Sequence, residues 1–247
     1  MKTIFIFIDG FGIGEEDTSK NPVFAAKTPG FDFIRDEFLV VPIDATLGVP
    51  GLPQSATGQT ALFTGVNAPR LLGCHVSARP VGRLRKLLLK DNLFRRLTAK
   101  GYRIANANVY RTRYLERMLD PHDRMNLPSA TSVMTMSAGI PFRTVEDLKA
   151  GRGLYHDITN EMLLDEYPEL AVTPVKVAAE RLVGLLDDHD FVFFEYFLSD
   201  ISGHGMGMEA CMRLVETLDA FVGRVLELMD LKKSFLFITS DHGNIED

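Results

Sequence analysis

The sequence predicts an α/β protein, a three-layer α/β/α arrangement around a mostly parallel sheet. Two observations carry this. Three short apolar runs lead into acidic residues: Thr3–Ile8 before Asp9, Phe191–Leu198 before Asp200, and Phe235–Thr239 before Asp241. Each is rich in Ile, Val and Phe and apolar on both faces, as strands covered by helices on both sides should be. The C-terminal part also reads helix, strand, helix, strand, and such alternation implies a parallel sheet with right-handed crossovers.

The elements follow in order. Thr3–Ile8 stops at Asp9, too short for a membrane span and without a small-residue cleavage site, so it reads as a strand. A cytoplasmic location is expected. Thr28-Pro29 supplies an N-cap and first-turn pair for a helix to about Phe38. Asp91 is expected to cap a helix from Asn92 to Lys100 that Gly101 ends. Tyr102–Val109 is a fourth, more polar strand because it carries Asn106 and Asn108. Val175–Leu186 reads as a helix. Cys211, Leu214, Val215, Leu218, Phe221, Val222, Val225 and Leu226 form one apolar stripe at helical spacing. Residues 67–90 and 111–170 are less regular, and 120–155 hold Pro121, Pro128 and Pro141. Residues 1–247 are expected to be one α/β domain, with about 111–170 as a small cap over the sheet.

Composition excludes several classes. With 46% hydrophobic and 24% charged residues the chain is neither disordered nor fibrous. Cys74 and Cys211 cannot build a disulfide scaffold and fit a reducing compartment. The formal charge of -6 argues against a nucleic-acid binder. Residues 79–103 nevertheless hold nine Lys and Arg against one acidic residue, Asp91. That local excess could steer an anion, although Lys and Arg also simply populate exposed helix faces. Arg79 and Arg83 are the candidate phosphate clamp.

Ligands of an open parallel sheet bind outside the carboxyl ends of its strands. Asp9, Asp200 and Asp241 all fall there, and would repel one another unless a cation neutralised them. Histidines accompany two of them: His204 four residues after Asp200, and His242 directly after Asp241. An Asp after a strand is often only a turn former, and a lone His is more often a surface residue. Recurrence at three strand ends favours a metal, and oxygen with imidazole suits Mn²⁺ or Zn²⁺. His122, His156 and His189 lie among charged residues and read as surface histidines; His75 is ambiguous.

The segment Gly51-Leu52-Pro53-Gln54-Ser55-Ala56-Thr57-Gly58-Gln59-Thr60 leads into a short helix starting near Ser55. A hydroxyl there meets free N–H groups and the positive end of the dipole, which can hold a phosphate. Beside a metal, Ser55 could act as a nucleophile. Capping alone would explain a Ser at this place, and Thr57 and Thr60 are rivals for the role. Gly10, Gly12 and Gly14 imitate a dinucleotide loop but lack its GxGxxG spacing, and they run into Glu15, Glu16 and Asp17. They are better read as room for a metal and substrate above Asp9.

Together these motifs resemble the alkaline phosphatase superfamily, most closely its cofactor-independent phosphoglycerate mutase and phosphopentomutase branch. Asp9-Gly10-Phe11-Gly12 is similar to the branch's first metal-binding Asp. Gly51-Leu52-Pro53 with Ser55-Ala56-Thr57-Gly58 resembles its nucleophile segment, and this comparison prefers Ser55 to Thr57 and Thr60. Asp200-Ile201-Ser202-Gly203-His204 matches its Asp-x-x-Gly-His pair, and Asp241-His242-Gly243-Asn244 its Asp-His-Gly-Asn signature. The resemblance implies an alkaline-phosphatase-like core and two divalent ions. Asp9, Ser55, Asp241 and His242 would hold one ion, and Asp200 and His204 the other. It implies phosphoryl transfer through a phosphoserine at Ser55, on a small phosphorylated metabolite. The family's further His ligand after this motif does not occur within the five residues that follow His242, so the chain is expected to continue beyond Asp247. Hydrolysis of a sulfate ester, phosphonate or phosphodiester on the same scaffold is one alternative, although Ser55-Ala56-Thr57-Gly58-Gln59 lacks the Pro and Arg of a sulfatase motif. A non-catalytic metal-binding regulatory domain is the other.

Overall fold

In the computed structural model, which describes residues 1–120, 122–123 and 125–246, a four-stranded parallel sheet is flanked by helices on both faces. The strands are β1 (Lys2–Ile8), β2 (Ile104–Asn106), β3 (Phe191–Tyr196) and β4 (Ser234–Thr239), in the order β2-β3-β1-β4. Register runs from Thr3 opposite Phe191 to Ile8 opposite Tyr196, and from Lys2 opposite Ser234 to Phe7 opposite Thr239. All four carboxyl ends therefore share one edge of the sheet. The expected α/β architecture with a mostly parallel sheet is the one observed.

Alternation along β1 and β3 sorts their side chains between two cores. Ile4, Ile6, Val192 and Phe194 face α6 (Val175–Gly184) and α8 (Met208–Leu228). Phe5, Phe7, Phe191 and Phe193 face α2 (Ser55–Thr64), α3 (Gly82–Lys90), α4 (Leu93–Ala99) and α5 (Ala130–Ser137). Phe193 packs edge-on to Phe5, Phe63 and Phe94 at centroid distances of 5.3, 5.8 and 5.3 Å. Such pairs each add about 0.5–1.5 kcal/mol beyond area burial, so this aromatic layer fixes how α2 seats on the sheet. The apolar stripe of α8 is buried except for Leu214, which is half-buried.

The strand boundaries differ from expectation in a way that matters for the site. β3 ends at Tyr196, and Asp200 lies in the first turn of a following helix, α7 (Leu198–Gly203), not directly after a strand. β4 is an edge strand: Leu236 and Ile238 pack inward, while Phe235 and Phe237 are 47% and 41% exposed, so it is not covered on both faces. The predicted fourth strand shortens to β2, with Val109–Tyr110 pairing separately with Arg143–Thr144. Within 111–170, α5 belongs to the aromatic layer, whereas Val109, Val145, Leu148, Tyr155 and Leu163 form a satellite cluster. Pro121 lies outside the described residues.

Two capping expectations are corrected. Asp91 closes α3, and it is Asn92 whose side chain accepts from Arg95 N to cap α4. Thr28 precedes α1 (Pro29–Glu37) but makes no side-chain cap. Asp219 of α8, 3% exposed, does so instead, accepting from Gly30 N at 3.1 Å and Phe31 N at 2.7 Å. A carboxylate borrowed from a neighbouring helix satisfies the free N–H groups and joins the two helices. Asp219→Ala should lower stability by about 1–2 kcal/mol in urea denaturation; an unchanged midpoint would contradict this.

Candidate metal centre

Four segments meet at the carboxyl edge of the sheet. Asp9 follows β1 directly, and its main chain is held by Tyr196 O, which accepts from Asp9 N at 2.8 Å, and by Ser199 Oγ, which donates to Asp9 O at 2.6 Å. Asp241 and His242 lie just past β4. Asp200 comes from α7, and Ser55 opens α2. Gly10 adopts φ +66° and passes so close to Asp200 that a Cβ would lie 2.8 Å from its Cα. Only glycine serves here, for both reasons.

The side chains converge on one point. Asp9 Oδ2 accepts from Gln59 Nε2 at 3.0 Å, and Asp241 Oδ1 accepts from the N–H groups of Gly10 and His242 at 3.3 and 3.0 Å. The other two carboxylate oxygens, Asp9 Oδ1 and Asp241 Oδ2, are buried without a partner. They lie 3.5 and 3.7 Å from His242 Nε2, with Asp200 Oδ1 at 4.0 Å and Ser55 Oγ at 3.0 Å. His242 Nδ1 is 3.0 Å from Gly243 O, which can only accept. Nδ1 therefore carries the ring proton and Nε2 turns a lone pair into the site.

The electrostatics require a counter-charge. Burial, then the charges of Asp241 and Asp200, push the Asp9 carboxyl upward, and burial pushes Asp241 up as well. Ligand atoms of Asp9, Asp241 and His242 lie within 4.8 Å of one another. Two like charges about 4 Å apart at an effective dielectric of 20 repel by about 4 kcal/mol, too much for one histidine hydrogen bond to offset. Protons or a divalent cation must supply the balance. The orphaned oxygens, the inward-facing Nε2 and the hydroxyl bonded to it form a donor set that fits such a cation.

Ser55 is the first residue of α2, and Gln54 occupies the cap position. Its hydroxyl does not cap, contrary to the simple expectation for a Ser there, but turns to His242. The rivals are engaged elsewhere: Thr57 Oγ1 donates to Gln54 O, and Thr60 Oγ1 donates to Ala56 O at 2.6 Å, both residues being buried. Asp200 and His204 lie 3.6 Å apart, but the His204 side chain is 72% exposed. Arg79 is exposed and donates to Tyr114 OH at 3.0 Å, and Arg83 is exposed on α3; the Ser55 hydroxyl is paired with His242 and with neither of them. Of the other histidines, His122 is exposed. His189 is half-buried and His75 bonds to Val49 O. His156 is half-buried, its ring tilted between Tyr155 and Phe197 at 4.1 and 4.2 Å, and burial with the Arg111 charge drives its pKa down to about 3.

Sequence reasoning missed three supports. Gln59 stands one helical turn after Ser55, a spacing that puts both on one face. Asn244 Nδ2 donates to Asp200 Oδ1 at 2.8 Å, and Glu246 accepts from Gly12 N and Asn244 N at 2.8 and 3.0 Å. A fourth omission is Glu195, the lone acid inside the apolar β3.

Comparison with known proteins follows the same lines. The Metalloenzyme superfamily model matches residues 170–247. The 2,3-bisphosphoglycerate-independent phosphoglycerate mutase of Thermococcus kodakarensis is 31% identical over 130 residues, 47% of this chain and 32% of that protein. The enzyme of the same name from Ectopseudomonas mendocina is 34% identical over 84 residues, 33% of this chain and 16% of that protein. These similarities join residues 170–247 to the Metalloenzyme superfamily and support the resemblance of the chain to the alkaline phosphatase superfamily. The chain spans about a third or less of the length of these relatives. The fold is shared with the solved PH0037 protein of Pyrococcus horikoshii, with a TM-score of 0.52, 16% identity, and coverage of 98% of this chain and 79% of that one. Among the described residues no helix is long and apolar enough to cross a membrane.

The raised carboxyls fix a pH dependence. Between about pH 4 and their folded values, Asp9, Asp241 and Glu195, the last pushed up to about 7 by burial, bind more protons folded than unfolded. Stability of the cation-free protein should therefore fall as pH rises through that window. Thermal melts across it should show a falling midpoint that saturating Mn²⁺ or Zn²⁺ restores, most at the alkaline end. A flat profile without cation would contradict the assignment.

Proposed function

We propose that the chain is a divalent-metal-dependent phosphoryl-transfer enzyme, a phosphomutase or phosphomonoester phosphatase, working through a phosphoserine at Ser55. The observation that carries this is the Ser55 hydroxyl, 3.0 Å from His242 Nε2, at the N-terminus of α2 and beside two orphaned carboxylate oxygens. Asp9, Asp241, His242 and Ser55 would hold one Mn²⁺ or Zn²⁺, and Asp200 with His204 the second. Bound there, divalent ions supply Lewis acidity and the positive charge that a phosphate dianion needs.

The chain's own groups do the rest. Ser55 Oγ gives up its proton and attacks phosphorus in line. The P–O bond to the leaving oxygen breaks, and that oxygen takes a proton. The N–H groups of Ser55 and Ala56, which no side chain caps, would face the charge on the transferring group, whereas Thr57 N already donates to Val76 O at 3.3 Å. Gln59 holds Asp9 in orientation, and Asn244 does the same for Asp200. The phosphoserine then passes its group to water in a phosphatase, or to another hydroxyl of the substrate in a mutase. The phosphoglycerate mutase relatives support the metal-dependent phosphoryl-transfer class.

Ser55→Ala should abolish phosphomonoester turnover, a loss of at least about a thousandfold, while bound metal measured by elemental analysis stays constant. Full activity in that variant would reject Ser55 as nucleophile. The open His204 side chain favours unequal metal sites. After gel filtration without added metal the protein should keep about one ion per chain and take up the second only with excess metal in solution. Two ions retained equally would refute this.

A further inference from the structure

A cavity of about 300 Å³ opens between the N-terminal end of α6 and the segment 160–173, and it shares no residue with the metal centre. Most of its polar groups are satisfied. Asn160, 1% exposed, donates from Nδ2 to Ala171 O at 2.9 Å, and its Oδ1 accepts from Thr173 Oγ1. Lys149 is shared between Glu146 and Glu169 at 3.0 and 3.2 Å. Arg181 is the exception. It is half-buried, and its Nη1 makes one long bond, to Thr173 Oγ1 at 3.4 Å. The neighbouring acids are engaged elsewhere: Glu169 with Lys149, and Glu180 with Arg224 at 3.2 Å, so that among the described residues no carboxylate pairs with Arg181. Helical side chains lean towards the N-terminus, and reaching Thr173 carries this guanidinium to the start of its own helix. That is the positive end of the dipole, where a further cation is disfavoured.

Five N–H donors with one long bond, in a field of the same sign, leave the Arg181 guanidinium short of an anion. The rest of the cavity selects which anion. One unpaired cation balances one negative charge, and the Glu169 carboxylate on the same wall opposes a second. The planar guanidinium fork matches a carboxylate in bidentate fashion. Leu148, Leu170, Val172 and Val177 line the cavity as well, and they offer apolar surface to a short hydrocarbon body. Thr173, itself fixed by Asn160, holds the guanidinium in place. We infer that this cavity is a binding site for a small aliphatic carboxylate, with Arg181 taking the carboxylate group. The site stands apart from phosphoryl transfer, because it uses none of the residues assigned to that chemistry.

Hexanoate serves as the probe, hexanamide as its neutral match, and inorganic phosphate as the competitor for the metal centre. Ligand-observed NMR titrations on the full Zn²⁺-loaded chain measure all three. Hexanoate should bind saturably in the millimolar range, and hexanamide at least about tenfold more weakly. Saturating inorganic phosphate should leave hexanoate bound. Arg181→Gln should weaken hexanoate at least about tenfold and leave hexanamide unchanged. Val172→Glu adds a carboxylate to the same cavity at a position 49% exposed, where the packed core is not disturbed, and it should also weaken hexanoate. Absence of saturable hexanoate binding, equal affinity for hexanamide, or hexanoate affinity unchanged in either variant would overturn the site. Displacement of hexanoate by inorganic phosphate would overturn it too, because the carboxylate would then be held at the metal centre.

Discussion

Repulsion among buried carboxylates at the carboxyl edge of the sheet is the constraint on which the rest of this structure depends. Asp9 and Asp241 are brought together by strand register, each with one oxygen hydrogen-bonded and one left bare. Folding by itself gains nothing from this. A buried acceptor without a donor costs about 1–3 kcal/mol, more when charged. The aromatic and aliphatic cores on the two faces of the sheet must offset it, and a bound cation converts the same cost into affinity. Such localised frustration is where function is expected to sit.

The surrounding residues make sense as a frame for that point. Gln59 and the N–H groups of Gly10 and His242 each occupy one oxygen of Asp9 or Asp241 and leave the other facing His242, while Asn244 holds Asp200 by the oxygen nearest His242. Gly243 O sets the tautomer of His242. Gly10 lets β1 and α7 approach closely enough for Asp200 to join. The Phe193 cluster seats α2, and with it Ser55, on the same edge. Positions fixed by packing and by second hydrogen bonds are the ones that hold a reacting geometry. His204 lacks such a frame, consistent with its exposure.

The similarity to the Metalloenzyme superfamily and the arrangement of Ser55 support each other, since they come from different parts of the chain. The family match lies in residues 170–247, whereas Ser55 comes from the N-terminal half. The fold alone carries no choice of substrate.

The sequence by itself determined the parallel α/β class, the apolar stripe of α8, and the placing of Asp9 and Asp241 at strand ends. Local hydrophobic periodicity and strand termini are properties of neighbouring residues, and so they are readable in one dimension. It also marked Ser55, but could not separate nucleophile from cap, because both roles need a hydroxyl at the same place. Only the tertiary structure decided that Gln54 takes the cap position, that Thr57 and Thr60 are bonded to their own helix, and that Asp219 caps a helix far away in sequence. Likewise only the fold showed β4 to be an edge strand, His156 to sit half-buried between Tyr155 and Phe197, and Glu195 to share the face of the sheet that carries Phe193. Each of these depends on which segment lies across from which, and long-range register is set by packing of the whole chain, not by any local pattern.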